Sequence, residues 1–88
     1  MTSKDLRESL DRLPLSALQV RVEGAAPKII GIVASPDFEG QNEAARQRLI
    51  WEHLLANLSP VARAEIEFVF TFTPKELEAL GRSARIAQ

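Results

Sequence analysis

The chain has 88 residues, 45% of them apolar and 26% charged, which gives room for one domain with a small core and excludes a disordered or collagen-like polymer. Eleven Lys plus Arg stand against twelve Asp plus Glu, a net charge of -1 without a block of like sign, so binding of nucleic acid or membrane by bulk electrostatics is not expected. Without cysteine there is no disulfide, no thiolate nucleophile and no Cys-ligated zinc or iron–sulfur site, and a single His makes a metal site from this chain alone improbable. The start, Met1-Thr2-Ser3-Lys4-Asp5, lacks an apolar signal run and no stretch is long enough to span a bilayer. The expectation is a soluble cytoplasmic protein.

Leu6, Leu10 and Leu13 form one stripe of a first helix, capped by Thr2 or Ser3 and stopped by Pro14. From Ala17 the period becomes two: Leu18, Val20 and Val22 alternate with Gln19, Arg21 and Glu23, a strand with one wet face. Gly24-Ala25-Ala26-Pro27 reads as a turn. Lys28 to Ala34 is apolar without alternation, which predicts a central strand or one covered on both faces, paired with the first as a hairpin.

Ser35 to Gly40 is a turn-rich loop, and Asn42 is placed to cap a long helix from about Glu43 to Leu58. On a helical projection Ala44, Ile50, Trp51, Leu54, Leu55 and Leu58 share one arc, with Arg46, Glu52, His53 and Asn57 outside it. Leu49 does not fit, and Gln47 falls inside the arc, which requires either an overhanging first turn or a hydrogen-bonded amide. Ser59-Pro60 opens a short helical turn, Val61 to Ala64. In the next strand Ile66, Phe68, Phe70 and Phe72 share a face, which is expected to be core; the adjacent Glu65 and Glu67 argue against a base-stacking platform. Thr73, Pro74 and Glu76 make a capping box for the last helix, expected to end at Gly81 with Arg82 to Gln88 frayed.

The resulting order is α-β-β-α-(α)-β-α: an α+β domain with one three-stranded mixed sheet and helices packed on one face. The second and third strands are expected to be parallel because the long helix crosses between them. That order is the KH type II arrangement.

Four groups of residues carry a family likeness in this order: the strand ending Val33-Ala34-Ser35, then Asp37-Phe38-Glu39-Gly40, then Arg46-Gln47-Arg48-Leu49-Ile50-Trp51, and finally Thr73-Pro74-Lys75-Glu76-Leu77. On them the stretch from Ile29 to Leu77 resembles the BolA family. The resemblance implies a KH-like fold and a non-enzymatic role: assembly or trafficking of iron–sulfur clusters with monothiol glutaredoxins, or DNA-binding regulation. It also implies two histidines that this chain lacks, since Gln47 stands between the two helix arginines and Ala62 to Ile66 contains no His. The loop that often supplies a further His or Cys is shortened to Gly24-Ala25-Ala26-Pro27, and His53 lies on another side of the helix from Gln47, where solvent exposure is expected.

The expected activity is therefore a BolA-like protein-interaction or regulatory module without its own metal, cluster or cofactor. Its partner-binding residues are expected among Phe38, Glu39, Gly40, Arg46, Gln47 and Arg48, although Phe38 could equally plug the core and the arginines form a solvated face. A monothiol glutaredoxin is the partner that the resemblance implies. The alternative is a KH-like nucleic-acid binder using Arg46, Arg48 and Arg63, but the link Leu58-Ser59-Pro60-Val61 has neither glycine nor a basic residue to clamp phosphate. An enzyme is not expected, because no nucleophile and base stand at a known spacing. Oligomeric state, and whether Trp51 is core or interface, stay open.

Overall fold

A computed structural model describes the backbone of residues 1–86 and the side chains of residues 1–81. Thr2 caps the first helix, α1 (Ser3–Leu10), by a reciprocal box with Asp5: the Thr2 hydroxyl accepts from the Asp5 N–H and the Asp5 carboxylate accepts from the Thr2 N–H. The helix ends at Leu10, earlier than Pro14 requires, yet Leu6, Leu10 and Leu13 are all buried.

Strand β1 (Gln19–Ala25) pairs antiparallel with β2 (Lys28–Ala34), and β2 pairs parallel with β3 (Ile66–Phe72), giving the order β1-β2-β3. The expected mixed sheet and central second strand are both observed. Between β2 and β3 lie a 3-10 turn (Pro36–Phe38), helix α2 (Glu43–Asn57) capped by Asn42, and helix α3 (Pro60–Ala64) capped by Ser59. Helix α4 (Pro74–Ile86) closes the chain. Gly81 lies inside α4, not at its end, and the expectation for the tail from Arg82 falls on side chains outside the described residues.

Helices α1 and α2 cover one sheet face, where Leu6, Leu10, Ile29, Val33, Ile50, Leu54 and Val69 form a water-free layer. Gly31 sits beneath α1 where space is tight: a Cβ would stand 3.1 Å from Leu10 Cδ1, which would have to give by a few tenths of an ångström.

Strand β3 turns the opposite way from expectation. Phe68 and Phe70 are 38% and 43% exposed, while Val69 and Thr71 face the helices. The cause is an irregular step: Ile29 pairs with Ile66, but the next residue, Ile30, pairs with Phe68, so Glu67 is an extra residue. The step leaves Ile66 on the helix side with Val69 and sends Phe68, Phe70 and Phe72 to the other face. Alternation identifies two faces without saying which one the helices cover.

On α2 the buried residues are Arg46, Ile50 and Leu54, spaced four apart, whereas Leu55 is 59% exposed and Ala44 is also outside. The projected arc misplaced Arg46 because it counts charge as solvent-seeking, and this guanidinium finds acceptors inside. Among the described residues no helix is long and apolar enough to cross a membrane.

Candidate functional site

The loop after β2 is built around Ser35 and Asp37. The Ser35 hydroxyl donates to the Ser16 carbonyl at 2.7 Å and accepts from the Asp37 N–H at 3.2 Å, and an Asp37 carboxylate oxygen accepts from the Ser16 N–H at 2.8 Å. These bonds tie the loop to the segment entering β1 and drive Phe38 into the core, where it is fully buried. Gly40 has φ 80°, a left-handed conformation that suits glycine, and Glu39 beside it is exposed.

Arg46 enters under this loop. Its Nε donates to the Gln41 carbonyl at 2.9 Å, its Nη1 donates to Glu76 at 2.8 Å and approaches the Thr71 carbonyl at 3.5 Å, and its guanidinium carbon lies 5.6 Å from the centre of the Phe38 ring. Glu76 is also half of the α4 capping box: it accepts from the Thr73 N–H at 2.7 Å, and the Thr73 hydroxyl accepts from the Glu76 N–H at 3.1 Å. The Thr73 N–H and then Arg46 hold the Glu76 carboxyl below its ordinary pKa.

Of the two readings that the place of Gln47 in the arc left open, the structure shows the bonded amide. It donates to the Val69 carbonyl at 2.8 Å and to Glu43 at 2.9 Å, and its oxygen accepts from the Trp51 indole N–H at 3.1 Å. Trp51 is half-buried against the core.

Of the six expected partner-binding residues, Phe38, Arg46 and Gln47 are thus spent on holding the loop, α2 and β3 together. Glu39, Gly40 and Arg48 lie at the surface. Arg63 is half-buried and donates to the Leu58 carbonyl at 2.6 Å, so of the three arginines weighed for phosphate binding Arg48 is the exposed one. His53 corrects the expectation of an exposed side chain: it is half-buried, with Nε2 2.6 Å from the Ser9 carbonyl. A carbonyl can only accept, so Nε2 carries the proton and donates.

What sequence reasoning missed is the other face of the sheet. The rings of Phe68 and Phe70 meet edge-to-face at 4.7 Å, and those of Phe70 and Phe72 stack at 6.5 Å. Leu77 and Leu80 of α4 reach the margin of this face and, with Ile32, Phe70 and Phe72, line a hollow of about 490 Å³. The extra residue in β3 is the feature that would have revealed it, and nothing in the composition of Glu65-Ile66-Glu67-Phe68 marks a bulge.

No family model and no curated protein matches the sequence. Solved structures do. A BolA protein homologue from Coxiella burnetii superposes with a TM-score of 0.66 at 28% identity, covering 89% of this chain and 97% of that one. The chain is BolA-like. A Bol-like protein from Babesia bovis gives a TM-score of 0.57 at 25% identity, over 92% of this chain and 94% of that one. In this BolA-like chain the motifs that carried the resemblance hold the fold together: Asp37-Phe38 seats the loop, Arg46 and Gln47 bind backbone, and Thr73-Pro74-Lys75-Glu76 starts α4 and anchors Arg46. Where the family resemblance calls for a histidine on α2, the chain has an amide that completes the contact between α2 and β3.

Proposed function

We propose that this BolA-like chain is a non-enzymatic, cytoplasmic protein-interaction or regulatory module that does not itself ligate a metal or an iron–sulfur cluster. The observation that carries the proposal is the aromatic face, where Phe68, Phe70 and Leu80 stand 38%, 43% and 54% exposed on the side of the sheet away from the core. Apolar surface of this kind is stabilised when a partner removes it from water. The donor set does not fit a cluster: Gln47 is held by Val69, Glu43 and Trp51, and the single histidine donates to the Ser9 carbonyl.

A monothiol glutaredoxin is the first partner to try, because the BolA resemblance implies it. Purified protein is titrated with the cluster-loaded glutaredoxin and followed by gel filtration and visible absorption. The expected outcome is co-elution with an unchanged cluster spectrum, weakened by Phe70→Ser. Co-elution with a shifted spectrum that His53→Ala abolishes would show that the chain is a ligand donor after all, and absence of co-elution removes the glutaredoxin as partner.

A further inference from the structure

We propose that β1 is a self-association edge, on which a second copy of this chain pairs its own β1 antiparallel about a two-fold axis through Val22. Among the described residues the order β1-β2-β3 leaves the outer side of β1 without a strand, and its register with β2 runs from Gln19 to Ala25 without a shift. Exposed edges are commonly blunted by a bulge, a proline or charged side chains. Within β1 only the third device is present, as Arg21 and Glu23, and their order converts it into a code for self-pairing. An antiparallel partner related by a two-fold axis at Val22 sets Arg21 opposite the other copy's Glu23, Glu23 opposite its Arg21, and Val22 opposite itself. Cross-strand partners share a face, so both pairs meet as opposite charges.

A second observation points the same way. On the helix-covered side, Leu18, Val20 and Val22 pack against the core but are only half-buried, so the core layer is unsealed along this edge. The second copy's valines would cover it. Within one chain, Arg21 and Glu23 make only an open contact at 3.6 Å with side chains 76% and 56% exposed, which leaves both free to turn toward a partner. The other edge is less suited: β3 carries the irregular step at Glu67 and runs directly into α4. The product is a six-stranded sheet whose two aromatic faces lie on the same side.

The test is charge reversal followed by sedimentation from micromolar to millimolar protein, with circular dichroism confirming that each variant folds. The wild type should dimerise. Arg21→Glu and Glu23→Arg should each raise the dissociation constant at least about tenfold, because two attractive cross-strand pairs become two repulsive ones. The double variant should return to within about threefold of wild type. An equimolar mixture of the two single variants should form a dimer of mixed composition, since it sets two acidic positions against two basic ones. A wild type that stays monomeric at millimolar concentration overturns the proposal, as does a dimer indifferent to either reversal. A dimer that Phe68→Ser disrupts instead would place the contact on the aromatic face.

Discussion

Arg46 is buried to 8% exposure and yet charged, and it is held there by what the loop and the α4 cap present to it. Removing it takes the Nε donor from the Gln41 carbonyl, leaves Glu76 with the Thr73 N–H alone, and opens a gap beside Phe38. Breaking a fully buried pair costs about 3–5 kcal/mol; here Glu76 is 48% exposed and can rehydrate, so Arg46→Ala should cost about 2 kcal/mol in urea unfolding. Arg46→Lys should recover little, because an ammonium on a flexible stem does not reproduce a planar fork between two acceptors. Glu76 also sets a pH dependence. Its carboxyl is held below the ordinary value in the folded chain, so the unfolded chain binds that proton more readily. The stabilisation is complete above the unfolded glutamate range and is lost as pH falls through the folded value. The gap in urea midpoint between wild type and Glu76→Gln should therefore be widest near neutrality and narrow on acidification; a gap that widens in acid would contradict the assignment.

At the scale of elements, helix starts were legible throughout, and helix ends were legible for α2 and α3 but not for α1 and α4. Thr2, Asn42, Ser59 and Thr73 each place a side-chain oxygen where free backbone N–H groups need an acceptor, a local requirement that sequence states directly. Gly81 is the counterexample. Glycine commonly follows a helix, but here the backbone continues through it to Ile86. Since a Cβ at Gly81 meets nothing within 4 Å, Gly81→Ala should raise stability by about 0.5–1 kcal/mol in the same unfolding assay. Gly24 should behave oppositely: it has φ 83° and a Cβ there would stand 2.6 Å from the Lys28 carbonyl oxygen, whereas Gly40 has φ 80° with open space around it. Gly24→Ala should thus cost more than Gly40→Ala, whose penalty is the left-handed backbone alone, about 1 kcal/mol. On β3 the alternation was legible and its direction was not, because the bulge that decides which face meets the helices follows from pairing with β2, a contact distant in sequence.

For the molecule as a whole, element order and sheet pairing were readable because each follows from local periodicity and connection rules, and the BolA likeness because the residues that carry the resemblance stand in the sequence itself. The placement of Arg46 was not, since its burial depends on acceptors from β3 and α4 that only the closed fold supplies, while for Phe38 and Gln47 the sequence left two readings open and the closed fold selects the core plug and the bonded amide. The two sheet faces then differ in kind, and truncating an aromatic on each should show it. Phe38 is fully enclosed beneath the loop and beside Arg46, so Phe38→Ala leaves a cavity and should cost about 3–5 kcal/mol. Phe70 is 43% exposed in the folded chain and keeps much of its contact with water, so Phe70→Ser should cost only about 1 kcal/mol. The same change should reduce the fluorescence of an apolar dye bound to the folded protein, while Phe38→Ala should raise it by loosening the core. Equal losses of stability from the two substitutions would mean that the aromatic face is buried in solution, and dilution would then separate the two causes: burial by a second copy weakens as the protein is diluted, and burial within one chain does not.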